Sequence, residues 1–280
     1  PRPEQDYDKL LVMAQQMFDD MGYGLDDFFA LMRTSDLMDL QIRVGKANGG
    51  FCTSFDDYGL PYIFANFNGT KGDVEVFTHE IGHAFQAYMS REQPLLDYLW
   101  PTYESCEIHS MGLEFLTYPY MERFFGGDAE RFRTIHLTQS LLFLPYGVAV
   151  DHFQHRVYAE PDATPEERFQ FWQEMEARYL PWRNYGDIEH VSAGGRWQLQ
   201  RHIYLSPFYY IDYTLAQACA LQFWVRANQD REAAMSDFVA LCQRGGAAAF
   251  QQLAKSAGLT SPFEPGCLSE VVAQAKQSLL

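Results

Sequence analysis

Apolar residues recur at helical spacing over most of the chain. Residues 7–22 and 26–40 read as two amphipathic helices broken at Gly22 and Gly24. The pattern then changes. Gly45, Gly49 and Gly50 surround short runs at 51–53 and 62–67, and the second run, Tyr62 to Phe67, has the aromatic and β-branched content of a strand. Asn68-Gly69 follows as a turn signal, and this is the one convincing β region, so any sheet is small. Helical spacing resumes over 74–90, 103–124, 128–158, 165–179, 207–227, 231–243, 246–257 and 266–279. Thr164-Pro165 with Glu167 is a helix start, with Thr at the N-cap and Glu placed for a capping box. Ser206-Pro207 offers a second cap-plus-proline start, and Gly245-Gly246 separates two C-terminal helices. Neither a repeat nor a linker-like stretch interrupts the pattern, which predicts one continuous, mainly α body over 1–280.

Composition narrows the class. With 47% hydrophobic and 21% charged residues, the 280-residue chain has material for a substantial core and none of the bias of disordered or fibrous chains. A formal charge of −16 repels phosphate backbones and anionic lipid, which argues against nucleic-acid and membrane partners. The longest apolar stretch, Leu141 to Val150, is about half a membrane span and contains Pro145 and Gly147. The five cysteines are odd in number and form no C-x-x-C, so free thiols and a reducing, cytoplasmic location are expected. Pro1 to Glu4 opens no signal peptide, and without an initiator Met the chain reads as a piece of something longer.

The chemistry lies at His79-Glu80-Ile81-Gly82-His83, an H-E-x-x-H inside a predicted helix for which Thr70 or Asp73 can serve as N-cap. Residues four apart share a helix face, so the two imidazoles can meet at one metal ion, with zinc the usual occupant. Glu80 stands beside them as a general base for water whose pKa the metal lowers. By chance such a motif arises in roughly one or two of a hundred chains of this composition, so context must support it. A catalytic zinc takes a third protein ligand. The continuation that supplies a third histidine fails, because Gln86 stands where Gly is needed and Met89 where His is needed. Downstream acids are Glu92, Asp97, Glu104, Glu107 and Glu114. Glu107 and Glu114 are seven apart, share a face amid Met111, Leu113, Phe115 and Leu116, and are expected to be partly buried, where a metal and a ligand histidine's second N–H would satisfy them. Glu104 reads more readily as a solvated acid, though it stays open as a ligand.

These stretches together resemble the M3 family of zinc oligopeptidases, and most of all its oligoendopeptidase F branch. The matching segments are Asn66 to Thr70, Asp73-Val74, His79 to Phe85, Glu107 to Glu114, His202 to Tyr213 and Ser261 to Leu268, which together cover nearly the whole chain. The resemblance implies a zincin-type catalytic body with a small sheet beside the H-E-x-x-H helix, one Zn2+ per chain on His79, His83 and Glu107, and Glu114 supporting a ligand histidine from behind. It also implies hydrolysis of internal bonds in short peptides by a zinc-bound water that Glu80 activates. Members of the family are longer, with a helical N-terminal half. The chain therefore resembles a C-terminal catalytic half, and candidate partners are a missing N-terminal half or a second copy in a homo-oligomer.

His202, Tyr204, Tyr209, Tyr210 and Tyr213 form a dense cluster that aromatic core would explain equally well from sequence. The resemblance favours His202, Tyr209 and Tyr213 as donors to the scissile carbonyl, with Tyr210 as the close alternative. The strand near 62–67 and its glycines suit pairing with an extended peptide, or a plain hairpin. His109 is expected to be structural, His152 and His155 a surface pair, and His136 and His190 carry no signal. A different function stays open: a non-catalytic, peptide-binding half-enzyme that needs its N-terminal partner. An intact Glu80 argues against it, since a binder needs no base.

Overall fold

A computed structural model describes residues 1–3 and 7–280. The elements run α1 (Tyr7–Met21), α2 (Leu25–Thr34), β1 (Met38–Gln41), β2 (Phe51–Phe55), β3 (Leu60–Phe67), α3 (Lys71–Met89), α4 (Tyr103–Leu116), α5 (Glu122–Phe125) and α6 (Ala129–Ala159). Then come α7 (Pro165–Tyr179), α8 (Glu189–Ser192), α9 (His202–Leu205), α10 (Tyr210–Gln229), α11 (Arg231–Arg244), α12 (Phe250–Ser256) and α13 (Ser269–Leu279). The mainly helical architecture with one small sheet matches expectation. The chain divides into two compact units, 1–137 with 216–280, and 138–215.

In the first unit the three strands lie in the order β1-β3-β2, with β3 parallel to β1 and antiparallel to β2. Burial alternates strictly along β3, so that Ile63, Ala65 and Phe67 face the core. Phe77 and Phe85 of α3 meet Phe29 and Phe28 of α2 at ring centroid distances of 5.5 Å each. All four rings are fully buried, and this apolar seam anchors the back of α3.

The loop into α3 is set by Asp73. Its carboxylate accepts from the backbone N–H groups of Asn68 and Gly69 at 2.9 and 2.7 Å, and Gly69 takes the left-handed φ of 81° that the turn demands. Thr70 occupies the N-cap, but its hydroxyl bonds the Asn68 side chain and caps no helical N–H.

The second unit packs Tyr146, Phe153, Trp172, Trp197 and Tyr210 into its own core. Its helix α7 opens with the expected capping box: Thr164 Oγ1 accepts from the Glu167 N–H at 3.2 Å, and Glu167 accepts from the Thr164 N–H at 2.7 Å.

Several boundaries differ from expectation. The end of the helix predicted over 26–40 is strand β1, because Met38 and Asp39 pair with Ile63 and Phe64 of β3. The helix predicted over 103–124 stops at Leu116, and Pro119 then sits in a 3-10 turn. The helix expected to begin at Pro207 begins at Tyr210. Phe208 takes a φ of 64°, with its N–H bound by Gln154 Oε1 at 2.8 Å.

Candidate metal centre

Two helices of the first unit build the site. On α3, His79 and His83 lie one turn apart with ring centroids 5.0 Å from each other. On α4, Glu107 is buried, and its Oε2 stands 3.3 Å from Nε2 of both imidazoles. The three ligand atoms lie within 4.8 Å of one another, so the group could hold a metal ion. Ligands about 2.0–2.1 Å from a tetrahedral ion stand roughly 3.3–3.4 Å apart, so both spacings fit such an ion, and an N, N, O donor set suits zinc. Glu104, one turn earlier on α4, is not part of the group.

The close approach of α3 and α4 depends on Gly82. A β-carbon there would collide with the His109 carbonyl oxygen and lie 2.6 Å from the Ser110 Cα. The small residue inside the motif is what lets Glu107 reach the histidines. Ser110 Oγ donates to Glu107 Oε2 at 3.0 Å and fixes that carboxylate from below.

Each imidazole is also held from behind. His79 Nδ1 meets Glu114 Oε1 at 2.6 Å, which leaves Nε2 turned towards Glu107. His83 Nδ1 meets the thiol of Cys106 at 3.3 Å. Cys106 is a free thiol, as expected, but it stands against a histidine of the metal group. It directly precedes Glu107 on α4, so its place beside a ligand set was the available signal. Glu114 has a second partner that sequence reasoning passed over: His136 Nε2 lies 2.5 Å from Glu114 Oε2.

The electrostatics favour positive charge at the imidazole nitrogens. Burial works against charging His79, yet the hydrogen bonds it donates to Glu107 and Glu114 lift it to about 10. Burial also opposes charging His83, but Cys106 and Glu107 raise it well above its ordinary value. Glu107 is held well below the ordinary carboxylate range, because His83 and His79 outweigh its burial. Burial of Glu114 is likewise outweighed by His136 and His79, which hold it down to about 2. A pocket that draws a proton so strongly offers the same attraction to a metal cation.

Glu80 differs from the other carboxylates. It is buried, its Oε2 has no hydrogen-bond partner among the described residues, and burial raises its pKa against the pull of His79 and His83. Gly50, just before β2, lies close to it: a β-carbon on Gly50 would lie 3.4 Å from Glu80 Oε1. The glycine-rich loop is tied down there by Asn66, whose amide donates to the Ala47 and Gly49 carbonyls at 2.9 and 2.8 Å.

The remaining expected residues belong to the second unit. His202 lies with Tyr209, Tyr210 and Tyr213 at ring centroid distances of 6.0, 5.1 and 5.6 Å. Gln200 accepts from the Tyr146 hydroxyl at 2.8 Å and approaches His202 Nδ1 with its amide nitrogen at 2.7 Å, which leaves the ring proton on Nε2. Tyr210 is buried in the core of this unit, and burial raises its pKa; Tyr209 and Tyr213 are partly exposed. His109 is fully buried and structural in position, and His155 is exposed beside Asp151 at 3.5 Å. His152 is instead partly covered, with Nδ1 2.9 Å from the Tyr179 hydroxyl.

Two imidazoles one turn apart, a carboxylate from a neighbouring helix and a buried acid beside them define a metallopeptidase-type centre. Residues 25–272 match the model of peptidase family M3, and the chain belongs to that family. It is similar over its whole length to a solved structure assigned as an oligoendopeptidase F, with 53% identity and a TM-score of 0.96, and covers 49% of that protein. A structure of PZ peptidase A with an inhibitor is 48% identical, with a TM-score of 0.96 and 50% of its length covered. A third, assigned as oligoendopeptidase F from Bacillus anthracis, is 48% identical, with a TM-score of 0.89 and 47% covered. The chain thus spans about half the length of the solved structures it matches. No curated protein matches it.

Proposed function

We propose that these 280 residues are the catalytic region of a longer zinc-dependent endopeptidase that cleaves internal bonds of short peptides. The observation that carries this is the convergence of His79, His83 and Glu107 with Glu80 beside them. His79, His83 and Glu107 hold the zinc. Zinc bound there supplies Lewis-acid chemistry, polarising a carbonyl and acidifying water. Glu80 takes the proton of the attacking water and delivers it to the leaving amine. Burial raises its pKa, which suits a group that must both accept and give a proton. Glu114 and Cys106 hold the ligand imidazoles in orientation. His202, with Tyr209 and Tyr213, donates to the carbonyl oxygen; the Nε2 proton that Gln200 leaves on His202 supports this role. The strand expected to pair with a peptide, β3, lies between β1 and β2, so the extended peptide lies along the outer edge of β2 instead.

The partners are short peptides, together with the remainder of the longer chain or a second copy. Among the described residues no helix is long and apolar enough to cross a membrane. Five free cysteines support a reducing, cytoplasmic location.

The test is metal content and cleavage of a quenched peptide, with and without chelator. Glu80→Gln is expected to keep its zinc and lose turnover by about 100-fold or more, and undiminished turnover would refute the role of Glu80. Coverage of only half of each relative favours one further reading, in which the chain binds peptides and needs the rest of the enzyme to cleave them. Zinc-loaded chain that binds a peptide and leaves it intact would decide for it.

A further inference from the structure

Behind the ligand histidine runs a chain of three short contacts, of which the metallopeptidase reading uses only the first. His79 Nδ1 meets Glu114 Oε1 at 2.6 Å, Glu114 Oε2 meets His136 Nε2 at 2.5 Å, and His136 Nδ1 meets the Tyr118 hydroxyl at 2.6 Å. His136 comes from α6, 22 residues beyond Glu114, and both it and Tyr118 are buried. The ring of His136 is clamped by Phe132, stacked at 5.8 Å, and by Phe115 at 5.1 Å, so its two nitrogens have few alternatives to the partners they face.

We infer that His136, oriented by Tyr118, is a positioning residue for the metal centre: it fixes Glu114, and through Glu114 the tautomer and aim of His79. The inference rests on the reading of His79 as a zinc ligand.

The proton order follows from the geometry. Tyr118 offers a hydroxyl that can donate to Nδ1 of a neutral His136 or accept from a charged one. In both cases Nε2 carries a proton and donates to Glu114. The remaining tautomer would set a lone pair against a carboxylate oxygen. With Oε2 occupied, Oε1 accepts the Nδ1 proton of His79 and leaves the Nε2 lone pair of His79 for a metal. Removing His136 leaves a carboxylate oxygen without a donor among aromatic rings. Glu114 then turns to recover a partner, and the aim of His79 is lost.

Outer-sphere partners of this kind are worth about 10–100-fold in metal affinity. His136→Leu should therefore weaken zinc binding by about 10-fold or more, measured by competition with a chelating dye. His136→Gln, whose amide nitrogen can occupy the place of Nε2, should restore most of the affinity. Tyr118→Phe should fall between them. Thermal melts of the metal-free variants separate this from unfolding: a structural role lowers stability in Leu and Gln variants alike, with no rescue of affinity by Gln.

The second readout needs no metal. Nitrogen-15 NMR of the metal-free protein should show the His79 proton confined to Nδ1 when one proton is bound, and shared between both nitrogens in His136→Leu. Equal zinc affinity of His136→Leu and the unmodified protein, with an unchanged His79 tautomer, overturns the inference. Failure of the unmodified protein to bind zinc overturns the metallopeptidase reading instead, and the NMR comparison then still decides whether His136 sets the His79 tautomer.

Discussion

Gly82 lies against the backbone of His109 so closely that the two helices touch without a side chain between them. The contact sets the separation of α3 and α4, and with it the reach of Glu107. Gly82→Ala must push the helices apart. Overpacking of this kind costs about 1–3 kcal/mol, so a fall in stability of that size is expected in chemical denaturation. Zinc affinity should fall with it, because the displaced helix carries a ligand. Unchanged affinity in a folded Gly82→Ala protein would mean that Glu107 does not depend on this contact.

Glu104 and Glu107 give a direct comparison of two acids on one helix. Only Glu107 stands with the histidines, and its Oε2 is 3.3 Å from each Nε2. Glu107→Ala is expected to lose bound zinc and all peptidase activity, while Glu104→Ala keeps its zinc. Elemental analysis of the two purified variants after dialysis checks this, and zinc loss confined to Glu104→Ala would overturn the ligand set.

Acid should destabilise the metal-free protein in a defined window. Burial depresses His109 from an ordinary value of 6.5 to about 4, so the unfolded chain takes up a proton there before the folded one does. That stability is present above about 6.5 and is lost as pH falls through 4, on the order of 3 kcal/mol in all. Glu114, held at about 2 against an ordinary 4.5, adds a loss in the same direction at lower pH. His79 acts oppositely: raised to about 10, its contribution is present below 6.5 and lost as pH rises through 10. Melting temperatures of chelator-treated protein across this range should pass through a maximum. His109→Gln should flatten the acid limb; an identical limb in that variant would remove His109 from the account.

The site was legible in the sequence where its geometry is local. The one-turn spacing of His79 and His83 and the seven-residue spacing of Glu107 and Glu114 are helix arithmetic, and the structure brings these four side chains together. Thr164 and Glu167 likewise act within four residues of each other.

What escaped is non-local. Met38 to Gln41 contains nothing that forbids a helix and becomes a strand only because β3 is there to pair with. The late start of α10 depends on Gln154, more than fifty residues from the Phe208 N–H it binds. His136 carries no signal beside its own neighbours, since its partner Glu114 is on another helix.

Among the described residues β2 pairs on one side only, and its residues Phe51 and Phe55 are exposed. Such a rim is a template for any extended backbone, and it does not discriminate between a substrate and another copy of itself. At high concentration the isolated chain is therefore prone to rim-to-rim stacking, and an excess of short extended peptide should keep it dispersed.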